Sequence, residues 1–599
     1  GEVRLFRNLG PDGWKDVTAD VGLDKIQLKE PRAILVGDYD NDGAVDLLIT
    51  QNHGPAVLLR NEGGNKNNYL RLALKGLNDN KSAIGTKVEV FSGGLRQKFE
   101  VYGSSGYLGQ NSPYLTIGLG QAKEADVVRM LWPTGVLQDE IGIAANKPQN
   151  ILELDRRGSS CPTLFAWDGR EYQLVGDMLG AGVVGHWISA HGDKIERDIP
   201  RPTEAIKLDR ASLHEKDGKL SFRFMEPLEE SVYLDQVKLL AVDHAAGVDV
   251  YPNEYFASNP PYPPFKVVYS NNNAARPPAG AWDEHGHNVL PDLLAHRYFG
   301  DFKILPFLGF AEPHTLVLDL GQAYNGGPLW LLMHGEIEYF SATSMYAADQ
   351  AHLRPSAPYV EALVPPVDGK TFEGKQWLRV IDDLGFPAGG PRTMTADLTG
   401  KLPLGTRRIR ITTNLQIYWD NIVISRTSQR QSVRLTAVPL AHADLDFHGF
   451  PLKIEDNPPG NVKYIYEQTS ATGPYARPAG AYTRYGDVRS LLESVDDRFV
   501  VFGSGDEVAL DFDPVTLPAL PYGWVRDYFF IANGYEKDMD FYAYRGDTVE
   551  PLPFRKMRTY PYPGQSFPSD AEHMNYLLEY NTRFMSGKEA SGYAFQYRK

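Results

Sequence analysis

Four aspartates stand close together in one short stretch. Residues 34–50 read Ile-Leu-Val-Gly-Asp-Tyr-Asp-Asn-Asp-Gly-Ala-Val-Asp-Leu-Leu-Ile-Thr. Asp38, Asp40, Asp42 and Asp46 fall at positions 1, 3, 5 and 9 of a loop, with Gly43 at position 6. Calcium is a hard cation that needs several oxygens at about 2.4 Å, and alternate residues of a tight loop converge to supply them. Gly43 allows the turn, and the Ala44 carbonyl at position 7 is the natural backbone ligand. Without a cation, four carboxylates this close repel one another. The expected ligands are therefore Asp38, Asp40, Asp42, Ala44 and Asp46, and the expected ion is Ca2+. An EF-hand does not fit. It needs Glu at position 12 and flanking helices, whereas position 12 is Ile49 and both flanks are apolar, β-branched runs.

Other residues could carry chemistry. His285 and His287 form a His-x-His pair beside Asp283 and Glu284, but Gly286 between them favours a turn over a metal-binding strand. Glu226, Glu229, Glu230 and Asp235 are acidic neighbours, and a solvated edge is the expected reading. Asp420 next to Trp419 could contact a sugar, although a Trp in a strand more often belongs to a core. Gly103-Ser104-Ser105-Gly106 is a glycine-rich turn and not a nucleophile elbow. No Walker loop, dinucleotide fingerprint or His-Glu-x-x-His is present.

The elements that must hold the acidic loop are short strands. Leu5-Phe6-Arg7-Asn8 before the loop is echoed by Leu58-Leu59-Arg60-Asn61 after it. This text resembles an FG-GAP/VCBS repeat, which implies one calcium-binding propeller blade and the tail of another. A single blade cannot bury both faces, so the chain is expected to be the C-terminal part of a longer protein or to be completed by another polypeptide. Further on, Leu70, Leu72 and Leu74 alternate with Arg71 and Lys75, and Leu115, Ile117 and Leu119 also alternate. Asn68-Tyr69-Leu70-Arg71-Leu72, Ile84-Gly85-Thr86-Lys87-Val88 and Trp132-Pro133-Thr134-Gly135 resemble the ASPIC/UnbV domain that follows such repeats in secreted bacterial proteins.

The rest reads as a duplicated β-module. Ala275-Arg276-Pro277-Pro278-Ala279-Gly280-Ala281-Trp282 is echoed by Ala476-Arg477-Pro478-Ala479-Gly480-Ala481-Tyr482, and the strand Val237–Val242 is echoed by Val433–Val438. The echoes lie roughly 200 residues apart, far beyond a solenoid period. Tyr418-Trp419-Asp420-Asn421 between them resembles a galactose-binding-like jelly roll. The expected division is 1–62, propeller repeat; 63–157, ASPIC/UnbV-like; 158–303, module copy 1; 304–428, galactose-binding-like sandwich; and 429–599, module copy 2 with a C-terminal helix. The fold class is all-β.

Composition narrows the function. Across 599 residues, 57 Gly, 42 Pro and 33 Tyr favour short strands joined by turns. A net charge of −15 argues against a chain built to neutralise phosphate backbones. The single cysteine, Cys161, excludes an internal disulfide and a zinc–cysteine cluster. No apolar run is long enough for a membrane-spanning helix. The resemblances imply an extracellular or cell-surface, calcium-stabilised, non-catalytic binding or adhesion scaffold whose partner is carbohydrate or protein. The alternatives are a structural subunit of a filament or surface assembly, and a glycan-processing enzyme with two carboxylates about 5–10 Å apart across a cleft.

Overall fold

The computed structural model describes residues 2–76, 80–133, 137–153, 161–191, 194–197, 200–228, 230–257, 262–364, 377–430, 432–455, 462–471, 477–540 and 542–585. The fold is all-β, with 47% strand and 8% helix. Two compact units divide the chain, Gly1–Asp155 and Arg156–Lys599.

In the first unit, Pro31–Gly37, Asp46–Gln51 and Val57–Leu59 form an antiparallel three-stranded sheet, and the acidic loop joins the first two strands. No propeller is formed among the described residues. Ile34, Val36 and Leu58 are exposed, although Ile49, directly opposite Ile34 and on the same face, is buried. Phe6–Asn8 and Trp14–Asp16 pair as a two-stranded sheet, and the strands from Asn68 to Leu152 build a four-stranded sheet and a three-stranded sheet. Leu70, Leu72, Val88, Val128, Met130 and Trp132 pack between them. The alternation read from 70 to 74 thus points its leucines inward, as period two requires.

In the second unit, the two halves of the apparent duplication do not form separate modules. Lys219–Met225 pairs with Asp506–Phe512, placing Phe222 opposite Leu510. Ser231–Ala245 pairs with Arg434–Val438, placing Val242 opposite Leu435, and also runs along Trp524–Lys537. The two resulting sheets enclose one core that contains Phe222, Phe224, Leu239, Phe502, Leu510 and Phe530. A repeated apolar pattern specifies strand type and facing but not the partner strand, so copies of one pattern join the same sheets.

Between these halves lies a second sandwich. Trp330–Ile337, Arg392–Asp397 and Ile417–Ser425 make one sheet with Ala275–Arg276 at its edge. Phe310–Asp319, Arg408–Leu415, Tyr359–Leu363 and Trp377–Ile381 make the other, with Gly280–Trp282 at its edge. Leu318, Leu331, Met333, Ile409, Trp419 and Ile422 fill the space between them. The α-helices are short, at Leu290–Leu294, Ala342–Gln350 and Ala571–Glu579.

Candidate functional site

The acidic loop is built by its own backbone. Asp38 accepts the N–H groups of Asp42 and Gly43, each at 3.0 Å, and Asp42 accepts that of Ala44 at 2.8 Å. These bonds curl the loop until carboxylate oxygens of Asp38, Asp40 and Asp42 lie within 4.8 Å of one another. Three hard oxygens so placed fit the donor chemistry of a calcium site. Ala44 is buried beside them. The Asp46 carboxylate does not join this group. It is buried and accepts the N–H groups of Tyr39 at 3.2 Å and Asn61 at 2.8 Å, tying the loop to the segment just after the third strand. Arg60 partly neutralises the cluster, reaching Asp40 at 3.1 Å and Asp42 at 3.4 Å. Asp40, then Glu62, hold the Arg60 guanidinium above its ordinary pKa.

Gly43 is fixed by two constraints. Its φ is +91°, and a Cβ there would lie 2.3 Å from a ring carbon of Tyr69. Gly43→Val is therefore expected to cost roughly 2–4 kcal/mol, combining left-handed strain with a steric clash. Urea unfolding of the full chain, with and without calcium, reads this loss.

Beside the loop is a hollow of about 270 Å³ lined by Asp38, Tyr39, Asp46, Arg71, Asn111 and Tyr114. The Arg71 guanidinium stands 5.3 Å from the centre of the Tyr114 ring. An aromatic face, a cation and amide groups are thus gathered next to the acidic cluster.

The second unit holds the other sequence candidates. Gly286 turns the chain at φ +83°, and Asp283 accepts the N–H groups of both His285 and His287. His287 Nδ1 lies 3.0 Å from Asp283 and 3.5 Å from Asp301, whereas His285 faces Glu284 at 3.6 Å. The two histidines do not share a site. Trp419 is a core residue. Asp420, next along the strand, points away from that core, and a β-bulge leaves it without a partner in the pairing of Ile417–Ser425 with Trp330–Ile337: His334 faces Asn421 while Gly335 faces Trp419. The extra residue, Asp420, bonds His334 Nδ1 at 2.5 Å.

The acidic stretch 226–235 corrects the expectation of a solvated edge. Glu226, Glu230 and Asp235 are buried, and Glu229 lies outside the described residues. Glu226 caps the Leu228 N–H at 2.6 Å, and Asp235 accepts those of Asp496 and Asp497. Burial pushes the Asp235 carboxyl up to about 7. Glu536, also buried, is held well above the ordinary carboxylate range by burial and by Glu226.

A buried ion network missed from the sequence runs nearby. Arg392 reaches Asp177 at 3.0 Å and Glu204 at 3.2 Å. Arg201 meets Glu254 at 2.8 Å. Gly389 and Gly390 make room for it: a Cβ on Gly389 would fall 2.2 Å from Asp177 and 2.4 Å from the Tyr339 hydroxyl. Arg392, Glu254 and His334 line a cleft of about 740 Å³.

Residues 76–158 match the ASPIC and UnbV family model. The match begins just after Asn68–Lys75 and takes in the other strands of the two packed sheets that follow the acidic loop. No match was found among curated proteins. Among solved structures, the chain is 10% identical to the infectious bursal disease virus VP2 subviral particle, covering 63% of this chain and 77% of that one, with a TM-score of 0.10. The Gx strain structure of the same virus gives 8% identity, 63% and 75% coverage, and a TM-score of 0.09. TM-scores this low carry no argument. Among the described residues, no helix is long and apolar enough to cross a membrane.

Proposed function

We propose that the chain is an extracellular, calcium-stabilised binding or adhesion scaffold that acts without catalysis and takes carbohydrate or protein as partner. The observation that carries the reading is the convergence of Asp38, Asp40 and Asp42 on one point of a strand-to-strand loop. The FG-GAP/VCBS-like spacing of the loop and the ASPIC/UnbV match that follows support it. Asp38, Asp40 and Asp42 hold the ion, the Ala44 carbonyl adds a neutral oxygen, and calcium replaces the partial neutralisation that Arg60 provides. Asp46 anchors the loop through the backbone. The hollow beside the loop then presents Tyr39, Tyr114 and Arg71 from a rigid frame.

This division of labour makes a prediction. A ligand at 100 times its dissociation constant stabilises the state it binds by about 2.7 kcal/mol. Saturating calcium is thus expected to raise the unfolding temperature of the first unit by several degrees. Asp40→Asn should abolish that rise and leave the calcium-free melting temperature nearly unchanged. Asp46→Asn should lower stability with and without calcium. Equal melting curves in calcium and in chelator would remove the calcium part of the proposal. A glycan array in calcium then tests the partner.

A further inference from the structure

The cleft of the second unit has an uneven distribution of partners. Every charged side chain that lines it is already engaged inside the protein. Arg392 is held by Asp177 and Glu204, and Glu254 by Arg201 and the Ala205 N–H. Lys207 pairs with Asp527 at 3.2 Å and sits 4.7 Å from the centre of the Tyr251 ring. Asp168 caps the N–H groups of Arg170 and Glu171. Asp209 takes the Ala211 N–H and the Ser212 hydroxyl. The cations of the cleft are therefore neutralised within the protein, and its two carboxylates without a cation, Asp168 and Asp209, are occupied by local N–H and O–H donors.

The neutral groups are the open ones. Among the described residues, the Tyr251 hydroxyl, the Thr393 hydroxyl and His334 Nε2 make no hydrogen bond within the protein, and all three residues line the cleft. His334 and Thr393 are direct cross-strand partners, so they present side chains on the same face. Asp420 fixes the imidazole: with Nδ1–H donating to Asp420, Nε2 is left as an acceptor. The bulge that places Asp420 thus orients a histidine toward the cleft. Ala166, Leu174, Ala205 and Leu208 supply apolar wall. The volume lies within the range of about 300–1,000 Å³ usual for small-molecule sites.

We propose that this cleft is a binding site for a neutral, hydroxyl-rich ligand, a carbohydrate, held by His334 Nε2 and the hydroxyls of Tyr251 and Thr393. Hydroxyls both donate and accept, so they match an acceptor nitrogen and two hydroxyl groups, and sugar C–H faces match the apolar wall. An anionic ligand would find no free cation in the lining, because Arg392 and Lys207 are both paired with carboxylates of the protein. The inference deepens the binding reading above by naming a ligand class and a site, and it does not depend on calcium.

The test is saturation-transfer NMR and calorimetry on the full chain. The probes are neutral di- to tetrasaccharides, their uronic-acid and amino-sugar counterparts, and uridine as a neutral non-sugar-polymer control. Neutral saccharides are expected to bind in the millimolar range or tighter. His334→Gln should weaken them at least tenfold, and Tyr251→Phe and Thr393→Val severalfold each, because each removes one polar partner. The last two variants keep side-chain volume, so a folded protein is expected even if His334→Gln is unstable. Chelator and Asp40→Asn should leave this binding intact. The proposal is overturned if no neutral saccharide binds, if charged sugars or uridine bind better, or if the folded variants bind as the parent does. Loss of cleft binding with calcium binding preserved would remove this inference alone. The reverse would remove only the calcium reading.

Discussion

Replacing Arg392 by methionine is expected to destabilise the second unit by roughly 3–5 kcal/mol, the usual result of breaking a buried ion pair from one side. Arg392 is buried and donates to the Asp177 carbonyl at 2.6 Å, to the Asp177 carboxylate and to Glu204. Its strand, Arg392–Asp397, belongs to the second sandwich, whereas Asp177 and Glu204 stand on strands of the two sheets that enclose the core with Phe222 and Phe530. The side chain therefore joins two cores as well as two charges. Without it, both carboxylates lose their direct cationic partner, and only Arg201 still acts on Glu204. Arg392→Lys should recover part of the loss, since an ammonium restores the charge but not the fork that meets two acids at once. Denaturant unfolding of the full chain gives both values. A change below about 1 kcal/mol for methionine would show that the network is not holding the sandwiches together.

The second large effect is a loss of stability as pH rises. Burial pushes the carboxyls of Glu254, Glu336 and Asp235 up to about 7. For Glu336, Asp177 and Asp420 add to the shift. A carboxyl whose folded pKa lies above its unfolded pKa binds more protons when folded. Its contribution is fully present below the unfolded pKa near 4 and is lost as pH rises through about 7. Each such group contributes roughly 3 kcal/mol across that window. Asp527 works in the opposite direction: His244, Lys207 and Arg210 hold it below the ordinary carboxylate range, so its contribution disappears in strong acid. Together they place the stability maximum of the second unit in mild acid. The unfolding free energy at pH 5.5 is expected to exceed that at pH 8 by several kcal/mol. Glu336→Gln should shrink the difference by raising stability at pH 8. A flat profile across this range, or a maximum at pH 8, would contradict the burial argument.

The acidic loop was legible in the sequence because its information is local. Spacing, a glycine and β-branched flanks lie within seventeen residues, and the structure turns them into a strand–loop–strand unit. Alternation at Leu70, Leu72, Ile117 and Leu119 was legible for the same reason. Strand partners were not. Phe222 meets Leu510 and Val242 meets Leu435 across intervals that no local pattern spans. The buried state of Glu226, Glu230 and Asp235 depends on those pairings, so a short acidic stretch read in isolation looks like solvent-facing surface. The His334–Asp420 pair was hidden differently. A bulge changes which side of a strand a residue faces, and Trp419-Asp420-Asn421 carries no mark of it beyond a polar pair next to a core tryptophan. Asp46 shows that spacing can place a residue in a site without fixing its task, because its two oxygens are taken by backbone N–H groups.

Calorimetric titration of calcium into the full chain, beside a variant carrying Asp38→Asn, Asp40→Asn and Asp42→Asn, bears most directly on the central claim. One equivalent of calcium bound by the parent and none by the variant is the expected result. Identical heats from both proteins, or no binding by the parent, would mean that the loop at the start of the chain is an acidic turn closed by Arg60 and not a metal site.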